Sequence, residues 1–283
     1  MRLIKEISRM RDYSKKIKGT RVIGFVPTMG SLHEGHLSLI RKARQQCEEV
    51  MISIFVNPTQ FGKREDHQRY PRDLSKDMKL SEKEGVDVIF APSREEMYPQ
   101  GYSTFVEIKG NLSSTLEGAS RPGHFKGVAT ILTKLFNIIN PDYSYFGEKD
   151  YQQALVVKKL AKELNLDTRI LVLPTIREKD GLALSSRNSY LNKKERKAAT
   201  IFYKALKRAK EWVGKGEKDS SALVSKMRGL IEKEPLVRID YVAVVDPKTL
   251  EKVKEVRGEV LALLAVNIGK TRLIDNIKLA GSV

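Results

Sequence analysis

The sequence predicts an α/β fold in which a doubly wound parallel sheet is followed by a smaller α+β domain. Over residues 1–175, short β-forming runs alternate with helical patterns, which is typical of a parallel sheet with helices on both faces. After Pro174 the pattern changes to a polar segment, two charged amphipathic helices and two strands. We therefore predict a Rossmann-like domain over residues 1–176 and a C-terminal α+β lid domain over residues 177–283.

The first predicted strand covers residues 22–26 and ends where Pro27 and Gly30 interrupt the run of β-formers. Apolar residues then recur at helical spacing over residues 37–47, which predicts a helix. The rest of the first domain continues the alternation, with strands at 50–56, 86–91, 143–146 and 169–173 and helices at 74–84, 127–139 and 152–164. In the second domain we predict helices at about 193–213 and 220–233 and strands at 239–245 and 260–266.

The composition is that of a globular protein long enough for two domains. Hydrophobic residues make up 41% of the 283 residues. The longest uncharged stretch, residues 50–62, is far shorter than the roughly 20 residues that span a membrane. Residues 1–18 are charged throughout, so we expect no export signal and a cytoplasmic protein. The single Cys47 falls on the apolar face of the first helix, where we expect a core position.

The formal charge of +17 makes nucleic acid a partner to consider. The excess is densest over residues 193–218, with ten Lys and Arg against three Glu. Apolar residues recur there at helical spacing, so the lysines form the solvated face of an amphipathic helix, and the interleaving of aromatic with basic residues that would serve to stack on bases is missing. We expect no nucleic-acid partner, and such a surface is also typical of heat-adapted proteins.

Two histidines lie where the first predicted strand passes into its helix. His33 and His36 are three residues apart, so on a helix they project from the same side, toward an anion bound over its N-terminus. Zinc metalloproteases use an i, i+4 pair instead, which argues against a metal site. The alternative, two histidines that only cap or line a helix, is disfavoured because the chain has four histidines in all. The tight loop also offers backbone N–H groups to phosphate, so the sequence predicts an anion or nucleotide site.

Polar segments follow two other predicted strands. Residues 57–61 carry amides, and residues 147–153 carry a Lys-Asp pair and two glutamines, which suit a polar substrate and a phosphate. Asn, Pro and Gly are also ordinary turn formers. Residues 177–188 contain a glycine for mobility, two serines and an arginine, and such a flexible loop could close over a triphosphate. The alternative for this segment is a solvated linker between domains.

Six segments, in order along the chain, resemble the pantothenate synthetase (pantoate:β-alanine ligase) family. They are residues 27–36, 55–61, 70–72, 146–153, 185–188 and 271–276. The His-Glu-Gly-His turn followed downstream by a serine- and arginine-bearing loop is also similar to the wider class I aminoacyl-tRNA-synthetase-like nucleotidylyl transferases. The resemblance implies an AMP-forming ligase that condenses pantoate with β-alanine to give pantothenate. It further implies a pantoyl-adenylate intermediate, release of pyrophosphate and AMP, ATP and Mg²⁺ as cofactors, and a homodimer.

The resemblance also implies roles for individual residues. Catalytic roles are implied for His33, His36, Lys149, Ser185, Ser186 and Arg187. Contacts with ATP are implied for Met29, Gly30, Ser31, Leu32, His33, Glu34, Gly35, His36, Gly147, Glu148, Lys149, Asp150, Ile176, Leu184, Ser185, Ser186 and Arg187. Substrate contacts are implied for Asn57, Gln60 and Gln153, with Gln60 also near β-alanine.

Several points stay open on the sequence alone. Asp73 and Asp77 are candidate Mg²⁺ ligands, or they lie on a helix surface. His124 lines the site or caps the helix that comes after it. No residue is identified as the general base for the amine. The competing functions are another nucleotidylyl transfer and, from a different class, RNA binding.

Overall fold

The structure of the protein, a computed structural model, describes residues 1–63 and 65–281 and divides into two compact units. Unit 1 comprises Met1–Glu148 and Gln152–Pro174, and unit 2 comprises Lys149–Tyr151 and Thr175–Val283. The last two residues of the predicted second domain lie outside the described part. Among the helices of the described residues, none is both long enough and apolar enough to cross a membrane.

A six-stranded parallel sheet forms the centre of unit 1. Its strands are β1 (Arg2–Ile4), β2 (Ile23–Thr28), β3 (Glu49–Ile54), β4 (Val88–Phe90), β5 (Tyr143–Gly147) and β6 (Arg169–Leu173). Their order is β1-β4-β3-β2-β5-β6, and every pairing is parallel. The chain builds outward from β2 to β3 and β4 and then returns to place β5 on the other side of β2. The carboxyl ends of β2 and β5 therefore flank a switch point, where such sheets bind ligands.

Helices cover both faces of this sheet. They are α1 (Ile7–Ile17), α2 (Glu34–Gln46), α3 (Leu74–Lys83), α4 (Arg94–Met97), α5 (Asn111–Ser114), α6 (Glu117–Ser120), α7 (His124–Ile139) and α8 (Tyr151–Glu163). Successive side chains of β2 enter different cores because a strand alternates its faces. Phe25 belongs to a cluster with Phe136 of α7, whereas Val26 belongs to a cluster with Ile40 of α2. The predicted doubly wound α/β fold is confirmed, and Cys47 is buried in the α2 cluster as expected.

Unit 2 is built on a three-stranded antiparallel sheet. Its strands β7 (Val237–Val245), β8 (Glu259–Ile268) and β9 (Thr271–Ala280) pair in that order. Its helices are α9 (Lys193–Ala198), α10 (Thr200–Gly214) and α11 (Ser220–Ile231). The apolar residues of the lysine-rich stretch are buried in the core of this unit, as its amphipathic pattern predicts. The single helix predicted over 193–213 is wrong, since the stretch divides at Ala199 into α9 and α10.

Candidate active site

Asp77 of α3 holds the loop between β2 and α2. Its Oδ2 and Oδ1 accept hydrogen bonds from the backbone N–H groups of Ser31 and Leu32, each at 2.8 Å, and its side chain is buried. Gly30 and Ser31 both adopt the left-handed region, with φ of 80° and 52°, and a Cβ on Gly30 would lie 2.9 Å from Asp77 Oδ2. Burial raises the pKa of Asp77, and the two backbone hydrogen bonds partly oppose that shift.

Backbone N–H groups of this loop are engaged within the protein. The backbone N–H groups of Ser31 and Leu32, which the sequence suggested would face phosphate, face a carboxylate of the protein itself. The N–H group of Gly30 donates to the hydroxyl of Thr28 at 3.1 Å. The loop is therefore closed by internal hydrogen bonds, which position the start of α2, and its contacts with ATP stay a prediction.

The two histidines stand side by side at the start of α2. His33 is the N-cap residue rather than part of the helix, and His36 lies in the first turn. The Nδ1 atom of His33 accepts from the backbone N–H of Gly35 at 3.1 Å, and Nδ1 of His36 lies 3.4 Å from the backbone N of His33. The rings stack with their centroids 4.1 Å apart.

These contacts fix the tautomer of each neutral ring. A backbone N–H can only donate, so Nδ1 must be the acceptor and the ring proton lies on Nε2. Both rings therefore carry their donor on the atom directed away from the backbone of the first turn. His33 and His36 can donate to an anion as neutral imidazoles while they cap the helix.

Gln60 comes after β3 in a short 3₁₀ helix, Pro58–Gln60, and meets the first loop. Its Nε2 atom lies 3.4 Å from Sδ of Met29, so the structure brings together a residue predicted to bind ATP and one predicted to bind pantoate. Asn57 is buried, and its Nδ2 donates to Oε1 of Gln60 at 3.0 Å and to the carbonyl of Gly127 at 3.1 Å. Its Oδ1 accepts from the hydroxyl of Tyr98 at 2.8 Å. Asn57, predicted as a substrate contact, uses both polar atoms within the protein and orients Gln60.

His124 begins α7 and does not cap it. The residue is buried, its Nδ1 lies 2.9 Å from the backbone carbonyl of Gln60, and its Nε2 lies 3.1 Å from Nη1 of Arg121. Burial, followed by the charge of Arg121, lowers the pKa of His124 to about 4. Arg121 also donates to both carboxylate oxygens of Glu65, at 2.9 and 2.6 Å. Neither Arg121 nor Glu65 carries a sequence pattern that predicts this network.

The two glutamines that come after β5 have different surroundings. Gln152 is buried, accepts from the backbone N–H of Glu117 and donates to the carbonyls of Leu112 and Thr115. Gln153 is only partly buried, and its amide makes no hydrogen bond within the described residues. Of the pair, Gln153 is the one whose amide remains for a ligand, and its contact with substrate stays a prediction.

In unit 2, the segment 177–188 is a hydrogen-bonded hairpin rather than the predicted flexible loop. Glu178 donates its backbone N–H to the carbonyl of Leu182 at 2.8 Å, and Arg177 pairs with Asp275 through both carboxylate oxygens, at 2.6 and 2.9 Å. Gly181 was predicted to provide mobility, but its φ is 94° and a Cβ there would lie 1.9 Å from the ring of Tyr203. Glycine is needed there for close packing.

Several predicted ATP contacts also lie in unit 2. Ser185 caps the 3₁₀ helix Ser186–Tyr190 by accepting from the backbone N–H of Arg187 at 3.3 Å. The side chain of Asn276 donates to the backbone carbonyl of Lys149 at 2.9 Å, which ties that residue to β9. Leu184 donates its N–H to the carbonyl of Ile176 at 3.0 Å. Gly147 and Glu148, by contrast, belong to unit 1.

The two carboxylates considered for Mg²⁺ do not fit a metal site. Asp73 caps α3 by accepting from the backbone N–H of Lys76 at 2.9 Å, and both oxygens of Asp77 are engaged by the loop. Over residues 1–63 and 65–281, no group of three or more His, Cys, Asp or Glu is placed to hold a metal ion. Mg²⁺ commonly binds through substrate phosphates and few protein ligands, so the ion does not require a protein site of this kind.

Comparison with known proteins identifies the family. The sequence model of a family described as pantoate-beta-alanine ligase matches residues 2–278. The chain belongs to this family. Among its relatives, the pantothenate synthetase of Carboxydothermus hydrogenoformans is 54% identical over 277 residues, which cover 98% of each chain. The pantothenate synthetase of Caldicellulosiruptor bescii is 54% identical over 278 residues, again 98% of each.

Solved structures of the family resemble the whole chain. Pantothenate synthetase from Thermus thermophilus is 43% identical with a TM-score of 0.93, covering 98% of this chain and 99% of that one. A ligase from Francisella tularensis, complexed with beta-gamma ATP and beta-alanine, is 37% identical with a TM-score of 0.83 and covers 98% and 97%. The resemblance drawn from six short sequence segments is confirmed over nearly the full length.

Proposed function

We propose that this protein condenses pantoate with β-alanine, using ATP, to give pantothenate. The reaction runs through pantoyl adenylate and releases pyrophosphate and then AMP. Within the site, the observation that carries the proposal is the contact between Met29 and Gln60, because it joins the predicted nucleotide loop to the predicted pantoate residue. The Francisella tularensis relative, complexed with beta-gamma ATP and beta-alanine, supports the same pair of ligands.

At the phosphate end, His33 and His36 donate hydrogen bonds from Nε2. A carboxylate that attacks the α-phosphorus must approach negatively charged oxygens, so fixed donors and the N-terminal dipole of α2 lower the barrier. His36 stabilises the charge that develops there or donates a proton to it. Lys149, Ser185, Ser186 and Arg187 complete the ATP contacts by analogy with the family.

At the acid end, Gln60 and Gln153 hold pantoate with neutral amides. A neutral donor positions a carboxylate without forming the charge-assisted pair that would weaken it as a nucleophile. Positioning of the two reactants therefore supplies much of the rate, and no nucleophilic side chain is required. The β-alanine amine then attacks the acyl carbon of the adenylate and displaces AMP, with Gln60 beside it.

The remaining parts of the proposal are Mg²⁺, the dimer and the cytoplasm. Mg²⁺ enters only as the counter-ion bound to the phosphates of ATP. For a homodimer, residues 102–109 offer an extended segment outside any described helix or strand, on which Phe105 is 44% exposed. We expect Phe105→Glu to convert dimers to monomers in light scattering. A cytoplasmic location remains a prediction from the sequence.

The proposed function is tested by following pyrophosphate and AMP separately. We expect pyrophosphate release to require ATP and pantoate, and AMP release to require β-alanine as well. His36→Gln keeps an amide N–H near the position of Nε2 and should retain more adenylate formation than His36→Ala, with both variants folded. Pyrophosphate release that ignores pantoate, or that prefers a different acid, would refute the proposal and favour another nucleotidylyl transferase.

A further inference from the structure

The segment that carries Gln60 rests directly on the first turn of α7. A Cβ on Gly127 would lie 2.3 Å from the carbonyl oxygen of Thr59 and 2.6 Å from Cα of Gln60, so the two backbones are in close contact. The side chain of Asn57 bridges them by donating to the carbonyl of Gly127 at 3.1 Å. The position of Gln60 is therefore set by its packing against the first turn of α7.

His124 joins the backbone of Gln60 to the first turn of α7 by a hydrogen bond. A carbonyl oxygen can only accept, so the 2.9 Å contact requires the proton of the ring to lie on Nδ1. Arg121 has only donors, so Nε2 must accept from it at 3.1 Å. Both ring nitrogens are thus assigned, and the tautomer is the opposite of that in His33 and His36.

The same contacts exclude a direct chemical role for this ring. A general base needs a lone pair that can reach a proton, but the lone pair of Nε2 is occupied by Arg121. Arg121 also lies 3.4 Å from the carbonyl of Gln60 through Nη2, and its charge is balanced by Glu65 at 2.6 Å and Glu117 at 3.9 Å. His124 and Arg121 therefore both donate to the backbone carbonyl of Gln60, and the positive charge of Arg121 is balanced within the cluster.

We propose that His124 is a positioning residue for the pantoate site, which acts by donating from Nδ1 to the backbone carbonyl of Gln60. The inference rests on the proposed contact between Gln60 and pantoate. Because the side-chain amide of Gln60 is separately oriented by Asn57 at 3.0 Å, loss of the His124 bond displaces the residue as a whole. Pantoate binding should weaken, whereas the histidines that contact ATP keep their own supports on α2 and α3.

Three replacements separate the two bonds of the ring. His124→Asn places an amide N–H near the position of Nδ1 and keeps the donor to Gln60, but it does not reach Arg121. His124→Gln places an amide oxygen near Nε2 and keeps the acceptor for Arg121, but it lacks the donor. His124→Leu removes both. KM for pantoate, KM for ATP, kcat and the thermal midpoint are measured on the full chain.

We expect His124→Gln and His124→Leu to raise KM for pantoate about 10-fold, the scale of one lost hydrogen bond, with KM for ATP changed less than about 2-fold. His124→Asn should restore KM for pantoate to within about 3-fold of the native value. If His124→Leu fails to fold, the comparison of Asn with Gln still tests the proposal.

Two results would overturn the inference. In the first, His124→Gln has the native KM for pantoate and His124→Asn does not, which shows that His124 acts through its contact with Arg121. In the second, KM for ATP and pantoate rise together with a falling thermal midpoint, which indicates a merely structural residue. Gln60→Asn is measured in parallel. If Gln60→Asn leaves KM for pantoate unchanged, the proposed role of Gln60 fails and the inference fails with it. If Gln60→Asn raises KM for pantoate but His124→Gln does not, only the inference about His124 is overturned.

Discussion

Replacing Gly127 by alanine should impair activity far more than stability. The added methyl group would stand 2.3 Å from the carbonyl oxygen and 2.5 Å from the carbonyl carbon of Thr59. Both atoms belong to the backbone, so no side-chain rotation can relieve the overlap. An ordinary contact is nearer 3.4 Å, and the segment that carries Gln60 must therefore retreat by about 1 Å.

The two effects of this change differ in size. Overpacking costs about 1–3 kcal/mol, and the better helix propensity of alanine offsets about 0.5–1 kcal/mol of it. The net loss in the free energy of unfolding should be about 1 kcal/mol. A displacement of about 1 Å at a reacting centre can lower the rate by about 100-fold. We therefore expect kcat/KM for pantoate to fall by one to two orders of magnitude in a protein that still folds.

The assay is pantoate-dependent pyrophosphate release, combined with urea denaturation. Gly229→Ala is the matched control, because Gly229 is also a helical glycine but the added methyl group would meet no atom within 4 Å apart from those of its chain neighbours and its own helix backbone. That variant should gain about 0.5–1 kcal/mol of stability and keep native kinetics. Native kinetic constants in Gly127→Ala would refute the reasoning, because they would show that this backbone contact does not place Gln60.

Three further predictions concern buried polar groups. Asp77→Asn leaves one loop N–H without an acceptor and should cost about 1–3 kcal/mol and about 10-fold in kcat/KM, whereas Asp73→Asn keeps a helix cap and should change little in the same denaturation and kinetic assays. The pKa of His124 is near 6.5 in the unfolded chain and about 4 in the folded chain, so the unfolded chain takes up the proton first as the pH falls. The free energy of unfolding should therefore drop by about 3 kcal/mol as the pH is lowered from above 6.5 to 4. The free energy of unfolding is measured against pH for the native protein and for His124→Asn, and the difference between the two isolates the contribution of His124. An equal dependence on pH in both proteins would contradict the prediction. Asp275→Asn breaks a buried pair and should cost about 3–5 kcal/mol, against less than about 1 kcal/mol for Asp240→Asn in a more exposed pair; comparable losses in urea denaturation would contradict the difference in burial.

The fold was largely predictable because parallel strands buried on both faces read as continuous apolar runs. The bounds predicted for β6 agree with the structure, and those of β5 differ by one residue. β1 was missed because it has three residues, two of them exposed, and α1 was missed because most of its residues are charged or polar. β9 was missed because polar residues interrupt its alternation, including the buried Asp275.

Residues of the candidate site give a signal in the sequence only where they are local. His33 and His36 share one turn, and Gln60 stands at the end of a recognisable strand, so each gives a local signal. The bond from Asp77 to Leu32 joins residues 45 positions apart, and that from Arg121 to Glu65 joins residues 56 apart. No period or spacing along the chain encodes such partners. The charge of Asp77 makes it a candidate metal ligand in the sequence, but its role depends on the backbone N–H groups opposite it.

The closed loop before α2 has a consequence for the thermodynamics of nucleotide binding. Ordering one residue of flexible backbone costs about 1–2 kcal/mol of conformational entropy at 25 °C. Because Asp77 fixes Ser31 and Leu32 through hydrogen bonds within the protein, a nucleotide bound here, as proposed, would not bear that cost for this loop. Preorganisation of this kind would leave the contact energy of the phosphates available as affinity, and a side chain at position 30 would disturb it, because a Cβ there would lie 2.9 Å from Oδ2 of Asp77.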